Sequence, residues 1–187
     1  VQQYIRDNAL MWLDEYHLDG LRMDMVPYIR NVHADENPDN NLEEGFNLIR
    51  RINGEIREKY PWKFTIAEDL HSLDFITARV VDGGLGYSSQ WDADFVHPIR
   101  ETLIAQHDAD RNMDTVAAAL LANYNGDAFQ RVIYTESHDE VANGKARVAE
   151  EIASGDVNNF FSKKRATLGI ALVLTAPGVP MIFQGHE

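Results

Sequence analysis

The sequence predicts an α/β fold of parallel βαβ units, and three observations lead to this prediction. Helical and strand patterns alternate about five times along the chain. Polar and ionisable residues gather directly after the predicted strands, where parallel α/β folds place their functional sites. A nucleotide-binding glycine fingerprint is missing, because Gly83–Gly86 lacks the Lys-Ser/Thr ending and the strand-to-helix context of a phosphate loop. The missing fingerprint favours a (β/α)8 barrel over a doubly wound sheet. Because five strands are too few to close a barrel, we predict only part of one.

Helices are predicted where apolar residues recur at spacings of three and four along the sequence. This pattern covers residues 1–16 and 42–56. Residues 160–176 are predicted as a long, strongly apolar helix that Pro177-Gly178 ends, and further helical segments cover residues 95–106 and 113–123. Strands are predicted at residues 18–26, 63–67, 88–92, 130–135 and 179–183. Helical segments therefore separate most consecutive strands, as parallel connections require.

Composition narrows the classes of ligand. Seventeen Lys and Arg residues against thirty Asp and Glu residues leave a net charge of −13, which opposes binding to nucleic acid or to an anionic membrane surface. The chain has no cysteine, so disulfides and thiolate metal sites are excluded. The longest apolar run, residues 170–176, is far shorter than a membrane span of ~20 residues. A neutral or cationic ligand fits this composition, and neither nucleic acid nor a membrane is an expected partner.

The start of the chain resembles the interior of a longer protein. Residues 1–7 have no initiator Met and no signal-peptide pattern, and they continue a helical pattern. A length of 187 residues with 44% hydrophobic residues suits one globular domain or a large piece of one. We therefore expect a fragment of a cytoplasmic protein.

The segment Asp19–Val26 contains a charged pair inside an apolar strand. Residues two apart on a strand share a face, so Arg22 and Asp24 are predicted to point the same way, with Met23 and Met25 on the opposite face. Burying such ions costs several kcal/mol per ion unless they pair well. One interpretation is a structural salt bridge at the end of the strand. The other is a functional pair in which the arginine keeps the carboxylate ionised.

Three predicted strand ends present Asp24, Glu68 and Asp139, and in a parallel barrel these ends converge on one mouth. Two carboxylates that flank a sugar acetal can divide the work, since one attacks carbon while the other protonates the leaving oxygen. Asp24 suits the attacking role because Arg22 favours its ionised form, whereas Glu68 needs burial or a nearby like charge to hold a proton near neutral pH. The pattern is consistent with an acid–base enzyme acting on a hydroxyl-rich substrate.

Each of these residues also has a structural interpretation. Glu68 and Asp69 could cap the turn that follows their strand, and His138 could be an ordinary hydrogen-bonded imidazole. His138, Asp139 and Glu140 could supply metal ligands, although metal-dependent hydrolase barrels generally need more ligands than this group offers. From the residues alone, these interpretations stay open.

The chain contains four motif-like segments in a fixed order. They are Asp19-Gly-Leu-Arg-Met-Asp24, Thr65-Ile-Ala-Glu68-Asp, Ser137-His-Asp139-Glu and Pro177-Gly-Val-Pro-Met-Ile-Phe-Gln-Gly-His-Glu187. These segments resemble regions of the α-amylase family of glycoside hydrolases, in the order in which that family has them. Single motifs of this size are weak, but four in order over residues 19–187 are specific. The resemblance implies a (β/α)8 TIM barrel that acts on α-linked glucans with retention of configuration.

The resemblance also implies roles for individual residues. By position it makes Asp24 the nucleophile, Glu68 the general acid/base and Asp139 the third carboxylate, which orients the substrate and stabilises the transition state. Arg22 would hold Asp24, and His138 would bond sugar hydroxyls in the same subsite. The implied partner is an α-glucan or a maltooligosaccharide. No cofactor and no metal ligand are implied for these residues, with calcium left open for the complete domain.

The subgroup features are Gly83–Tyr87 with Trp91-Asp92, and Ser137–Lys145, which look most like glycogen branching enzymes. Maltooligosyltrehalose trehalohydrolases share part of this pattern. Branching and hydrolysis differ only in whether a sugar hydroxyl or water attacks the glycosyl-enzyme intermediate, so glycosidase and glucanotransferase activities both stay open. Two interpretations from other classes also remain: a non-catalytic glucan-binding barrel and a metal-dependent hydrolase.

The resemblance covers only part of a barrel. No segment matches the family's Asn-His region on the third strand, so residues 1–187 are expected to form the C-terminal part of one catalytic barrel domain, about strands 4 to 8 with intervening helices. The N-terminal part of the barrel would then come from the same polypeptide. We expect residues 1–187 alone to be inactive, because the open sheet edge and uncovered apolar faces lack partners.

Overall fold

Strands and helices alternate through the first half of the chain. In order they are α1 (Gln2–Asp14), β1 (Gly20–Met23), α2 (Val26–Arg30), α3 (Glu43–Lys59), β2 (Phe64–Ala67), α4 (Asp74–Thr77) and β3 (Ser89–Trp91). A computed structural model shows these three strands to be parallel, with Ile66 of β2 beside Arg22 of β1 and beside Ser89 of β3. Val1–Trp91 and Tyr124–Gly126 form the first of two compact units.

The second unit comprises Asp92–Asn123 and Asp127–Glu187. Its elements are α5 (Ala93–Ile104), α6 (Met113–Leu121), β4 (Arg131–Ile133), α7 (Val148–Ile152), α8 (Phe160–Thr175) and β5 (Val179–Pro180). Strands β4 and β5 are parallel neighbours, with Val132 beside Val179. The structure describes residues 1–186, so Glu187, the last residue of the motif predicted after the final strand, lies outside the described residues.

Helix α3 illustrates why the longer helices form where the sequence predicts them. Its apolar residues recur at helical spacing, and Ile49, Ile52 and Ile56 are buried on one face. The acidic residues Glu43 and Glu44 occupy its first turn and basic residues occupy its last turn, so both ends match the helix dipole. The helix packs against α2 and contributes to two hydrophobic clusters of the first unit.

The second unit has its own hydrophobic core, formed by α5, α6, α7, α8 and β4. Phe95, Ile133 and Val173 are buried in it. Helix α5 begins after Asp92, whose carboxylate accepts the backbone N–H of Asp94 (3.0 Å) and so satisfies one of the free donors of the first turn. Among residues 1–186, no helix has the length and apolar character needed to cross a membrane.

The first strand is shorter than predicted. It ends at Met23, so the prediction of a strand over residues 18–26 is wrong at its C-terminal end. Met25 adopts a left-handed backbone conformation (φ 45°), and α2 begins at Val26. A strand cannot continue through a residue in this conformation, which lies outside the extended region of backbone angles. The chain therefore turns directly after Asp24.

The last strand also ends early, at Pro180 rather than at Phe183. Pro180 has no backbone N–H to donate to a ladder, although the N–H of Met181 still donates to the carbonyl oxygen of Ile133 (2.9 Å). The sequence pattern also fails to predict the short helices α2, α4 and α7. Helices of four or five residues are too short to show apolar periodicity.

Two glycines of α3 are expected to respond in opposite ways to alanine. A Cβ atom at Gly45 would collide with the backbone carbonyl oxygen of Ile29 in α2, whereas a Cβ atom at Gly54 meets none of the described atoms within 4 Å. We expect Gly45→Ala to lower the free energy of unfolding by about 1–3 kcal/mol through overpacking. Gly54→Ala should raise it by about 0.5–1 kcal/mol, because alanine has the higher helix propensity. Thermal unfolding of the complete protein measures both changes. Equal melting temperatures of the two variants would contradict the close approach of α2 to α3.

Candidate active site

Arg22, Asp24 and Glu68 lie side by side at the C-terminal ends of β1 and β2. The register pairs Arg22 with Ile66, and two residues further on Asp24 and Glu68 follow their strands. The backbone N–H of Glu68 donates to the carbonyl oxygen of Met23 (3.0 Å), which extends the pairing of the two strands by one residue. The parallel register therefore brings together three of the residues that the sequence analysis singled out.

The guanidinium of Arg22 bridges the two carboxylates. Its Nη1 lies 2.8 Å from Oδ1 of Asp24, and its Nη2 lies 2.8 Å from Oε2 of Glu68. The Asp24 side chain is 75% exposed, whereas the Glu68 side chain is 10% exposed. Asp24 is thus accessible to a ligand while a cation holds one of its oxygens, and Glu68 lies mostly out of water.

Met25 makes a contact that the sequence analysis missed. With its left-handed backbone, it donates its N–H to Oε2 of Glu68 at 2.7 Å. The next N–H, of Val26, donates to the backbone carbonyl oxygen of Glu68 (3.1 Å). The sequence analysis placed Met25 in a strand, and no sequence signal marks a methionine for positive φ. Glu68 is therefore held through both its side chain and its backbone.

Burial raises the pKa of the Glu68 carboxyl above its ordinary value. The neighbouring Asp24 raises this pKa further through its charge and through a hydrogen bond. The N–H of Met25 and the charge of Arg22 lower the pKa and offset only part of this rise. A carboxyl group that keeps its proton to higher pH suits a proton donor near neutral pH. Both conditions that the sequence analysis set for Glu68, burial and a nearby like charge, are present in the structure.

Asp69, the residue after Glu68, belongs to a buried ion pair. Its Oδ2 lies 2.7 Å from Nε of Arg30, and the two side chains are 0% and 2% exposed. Its Oδ1 accepts the backbone N–H of His71 (3.2 Å) and lies 2.8 Å from Nδ1 of the His71 ring. Asp69 therefore caps the turn after β2, as one interpretation of the sequence proposed, and also joins that turn to α2. The sequence carries no signal for Arg30 as the partner, because the two residues are 39 positions apart.

His138 and Asp139 lie in the second unit, in the segment that follows β4. Their side chains are 61% and 50% exposed, and Nε2 of His138 lies 3.2 Å from Oδ2 of Asp139. Both side chains are accessible to a ligand. Their predicted convergence with Asp24 and Glu68 on one mouth stays a prediction.

Two buried acids flank this exposed pair along the chain. Glu136 is 3% exposed and its Oε2 lies 3.0 Å from Nη1 of Arg147. Glu140 is 5% exposed and its Oε2 lies 3.0 Å from Nζ of Lys145 and 3.6 Å from Nε of Arg100. Ion pairing is the role that the structure shows for Glu140. Throughout residues 1–186, no group of three or more His, Asp and Glu side chains is placed to hold a metal ion.

Comparison with known families decides where this chain belongs. Residues 1–187 match the family described as alpha amylase, catalytic domain. The chain belongs to the alpha-amylase family. The resemblance noted in the four sequence motifs is therefore confirmed over the whole chain.

Solved structures of alpha-amylase-family proteins share the fold of this chain. One is an alpha-amylase from Geobacillus thermoleovorans in complex with acarbose, with a TM-score of 0.70 and 18% identity over 100% of this chain and 36% of that one. Another is a cyclic alpha-maltosyl-(1→6)-maltose hydrolase from Arthrobacter globiformis in complex with maltose, with a TM-score of 0.66 and 20% identity over 100% of this chain and 35% of that one. The likeness spans about a third of each structure, which confirms the predicted partial (β/α)8 barrel.

Among alpha-amylase-family sequences, the chain is similar to 1,4-alpha-glucan branching enzymes. The enzyme of Lactobacillus acidophilus is 31% identical over 201 residues, an alignment that covers 100% of this chain and 30% of the relative. The enzyme of Bacillus subtilis is 30% identical over 189 residues, covering 100% of this chain and 29% of the relative. The chain thus spans less than a third of the length of these curated relatives.

Replacement of Asp24 by asparagine is expected to lower the pKa of Glu68. The change removes the charge that disfavours ionisation of Glu68, while the Met25 N–H and Arg22 still stabilise its carboxylate. Titration of the Glu68 carboxyl by difference infrared spectroscopy of the complete protein, with Glu68→Gln as reference, measures this shift without turnover. The exposed Asp19 offers a control, since Asp19→Asn should leave the pKa of Glu68 unchanged. An unchanged or raised pKa of Glu68 in Asp24→Asn would contradict the prediction that the charge of Asp24 raises this pKa.

Proposed function

We propose that the protein is a branching-enzyme-like glucanotransferase that cleaves α-1,4-glucosidic bonds with retention, through a covalent glycosyl-enzyme intermediate on Asp24. The observation that carries this proposal is the Arg22 bridge between an exposed Asp24 and a mostly buried Glu68 whose pKa is raised. Similarity to two proteins named as 1,4-alpha-glucan branching enzymes supports transfer to a sugar hydroxyl rather than to water. A neutral, hydroxyl-rich substrate also agrees with the net charge of −13.

In the first step, a carboxylate oxygen of Asp24 attacks the anomeric carbon of the donor glucose unit and forms a C–O bond. The glycosidic bond breaks, its electron pair stays on the departing 4-oxygen, and that oxygen takes the proton of Glu68. Arg22 holds Oδ1 of Asp24, which leaves Oδ2 of this 75% exposed side chain for the attack. The products are a glycosyl ester of Asp24, ionised Glu68 and a glucan with a free 4-hydroxyl.

In the second step, the Glu68 carboxylate removes the proton from the 6-hydroxyl of an acceptor glucan, and the acceptor oxygen attacks the anomeric carbon. The ester bond to Asp24 breaks, its electron pair returns to the carboxylate, and an α-1,6 branch is formed. Two inversions at the same carbon give net retention. Water in place of the 6-hydroxyl would give hydrolysis by the same steps.

Asp24 loses its negative charge when the ester forms, and this loss lowers the pKa of Glu68 between the two steps. Before the attack, the Asp24 carboxylate raises the pKa of Glu68 and favours the protonated acid. After esterification Asp24 carries no charge, so the Met25 N–H and Arg22 lower the pKa of Glu68 without that opposition. Glu68 is therefore an acid in the first step and a base in the second.

The closeness of the two carboxyl groups supports retention over inversion. Inverting enzymes leave roughly 6.5–9.5 Å between their carboxyl groups for a water molecule, whereas retaining enzymes leave roughly 5–5.5 Å. Asp24 and Glu68 are held by two nitrogens of one guanidinium, each 2.8 Å from a carboxylate oxygen, so the two carboxyl groups are close neighbours, as retention requires. By resemblance to the family, Asp139 serves as the third carboxylate, which orients the substrate and stabilises the transition state, and His138 bonds sugar hydroxyls.

The complete protein is expected to form α-1,6 branch points when it is incubated with amylose. Proton NMR of the product measures the branch points, and enzymatic debranching followed by chain-length separation measures the transferred chains. Shorter linear oligosaccharides without branch points would identify a hydrolase instead. Binding of amylose without any product would identify a glucan-binding barrel.

Azide is expected to rescue Asp24→Ala and Glu68→Ala with opposite stereochemistry when α-maltosyl fluoride is the substrate. In Asp24→Ala, azide takes the place of the missing nucleophile, and a single displacement gives β-maltosyl azide. In Glu68→Ala, the Asp24 ester still forms because fluoride leaves without a proton, and azide then attacks the ester to give α-maltosyl azide. NMR of the anomeric proton distinguishes the two products.

A matched control for the rescue is Asp19→Ala, in the same segment as Asp24, which should keep the activity of the unmodified protein without azide. Formation of α-maltosyl azide by Asp24→Ala would contradict the nucleophile assignment. Formation of β-maltosyl azide by Glu68→Ala would contradict the acid/base assignment.

A further inference from the structure

Trp91 lies against the guanidinium of Arg22. The centroid of the Trp91 ring is 4.3 Å from Cζ of Arg22, within the ~6 Å range of a cation–π contact. Trp91 ends β3 and is 4% exposed, so the contact forms largely out of water. In the sequence, Trp91 is only a feature of the branching-enzyme subgroup, and nothing in its neighbourhood suggests a role in the site.

The register of the sheet explains why Trp91 reaches Arg22. Ile66 of β2 lies beside Arg22 of β1 on one side and beside Ser89 of β3 on the other. Trp91 follows Ser89 by two residues, as Glu68 follows Ile66 by two residues, and residues two apart share a face. Trp91 and Glu68 are therefore neighbours at the strand ends, on the face that carries Arg22.

Arg22 needs an anchor that persists through the reaction. Its side chain is 28% exposed; of its two carboxyl partners, Asp24 is 75% exposed, and Glu68 is 10% exposed but changes its protonation state in the proposed cycle. Exposed ion pairs contribute little to fixing a long side chain, because water screens them and the side chain loses rotamer entropy. A contact with a buried aromatic ring is screened much less and is correspondingly stronger. The Trp91 ring is therefore suited to keep the guanidinium in place.

We propose that Trp91 is a positioning residue whose ring holds the Arg22 guanidinium between Asp24 and Glu68. This inference rests on the proposed function, because in that cycle neither carboxyl partner of Arg22 keeps its charge throughout: Glu68 is protonated before the attack, and Asp24 is an ester after it. An ester oxygen carries no charge and binds a cation more weakly than a carboxylate does. At that stage the Trp91 ring keeps Arg22 beside Glu68.

The position of Arg22 controls the charge state of Glu68. The charged groups that act on Glu68 are Arg22 and Asp24, at the end of β1, while the cation of α2, Arg30, is paired with Asp69. Arg22 lowers the pKa of Glu68, so displacement of Arg22 leaves this pKa higher. Loss of the aromatic anchor therefore raises the pKa of Glu68. With a higher pKa, Glu68 is a weaker acid in the first step and is less ionised as the base in the second step.

The test compares Trp91→Leu and Trp91→Phe with the control Trp62→Leu in the complete protein. Trp62 is 72% exposed and its ring contacts Tyr60, outside the site. We expect kcat on amylose to fall about 10- to 30-fold in Trp91→Leu, with the alkaline limb of the pH–kcat profile shifted to higher pH. Trp91→Phe keeps a weaker aromatic face and should show an intermediate change. Trp62→Leu should show none.

Direct titration of Glu68 separates failure of this inference from failure of the proposed function. Difference infrared spectroscopy of the substrate-free protein, with Glu68→Gln as reference, needs no turnover. A higher pKa of Glu68 in Trp91→Leu than in the unmodified protein supports the positioning role even if amylose is not branched. An unchanged pKa overturns it whatever happens to kcat, because a merely structural tryptophan would also lower kcat.

A second replacement covers the case in which Trp91→Leu does not fold. Tetrafluorotryptophan, incorporated only at position 91, nearly keeps the size of the ring and removes most of the negative potential of its face. We expect the same upward shift in the pKa of Glu68 with an unchanged melting temperature. A pKa equal to that of the unmodified protein would overturn the inference.

Discussion

The bridge that Arg22 makes between two carboxylates is the interaction on which the rest of the site depends. A guanidinium presents its donors in a rigid fork, so it can hold Asp24 and Glu68 with two different nitrogens, which the point charge of a lysine cannot do with the same geometry. The two acids respond differently because Asp24 is exposed and Glu68 is mostly buried. For Asp24 the cation fixes an accessible oxygen, and for Glu68 it limits how far burial raises the pKa.

Backbone geometry places the groups that this bridge joins. The parallel register of β1 and β2 sets Asp24 beside Glu68, and the positive φ of Met25 ends β1 at once and allows its N–H to reach the Glu68 carboxylate. The buried pair of Arg30 and Asp69 then joins the turn after β2 to α2. The acid is thus held by backbone and side-chain contacts from both neighbouring turns, and it has little freedom to leave the position from which it can donate a proton.

The proposed catalytic residues of this chain are divided between its two compact units. The proposed nucleophile and acid/base lie within one compact unit, where they adjust each other's charge through direct contact. His138 and Asp139 lie in the other unit, on a segment with buried ion pairs at Glu136 and Glu140. The groups proposed to exchange protons and bonds are therefore separated in the chain from those proposed to bind and orient the sugar.

Much of the fold can be predicted from the sequence because the relevant signals are local. The long helix α3 and the end of β2 just before Glu68 follow from apolar spacing and from residue type, and four ordered motifs indicate the α-amylase family. Short helices lack enough residues to show periodicity, so α2, α4 and α7 cannot be predicted in this way.

The sequence by itself therefore determined the alternation of strands and helices, the barrel class and the acids at the strand ends. Only the tertiary structure decided the partners of those acids. Arg22 contacts Glu68 as well as Asp24, the Met25 N–H reaches Glu68, and Trp91 covers Arg22. The physical reason is that these contacts join residues far apart in the chain. They depend on the register of three strands and on one backbone angle, and neither quantity is encoded in the spacing or the type of neighbouring residues.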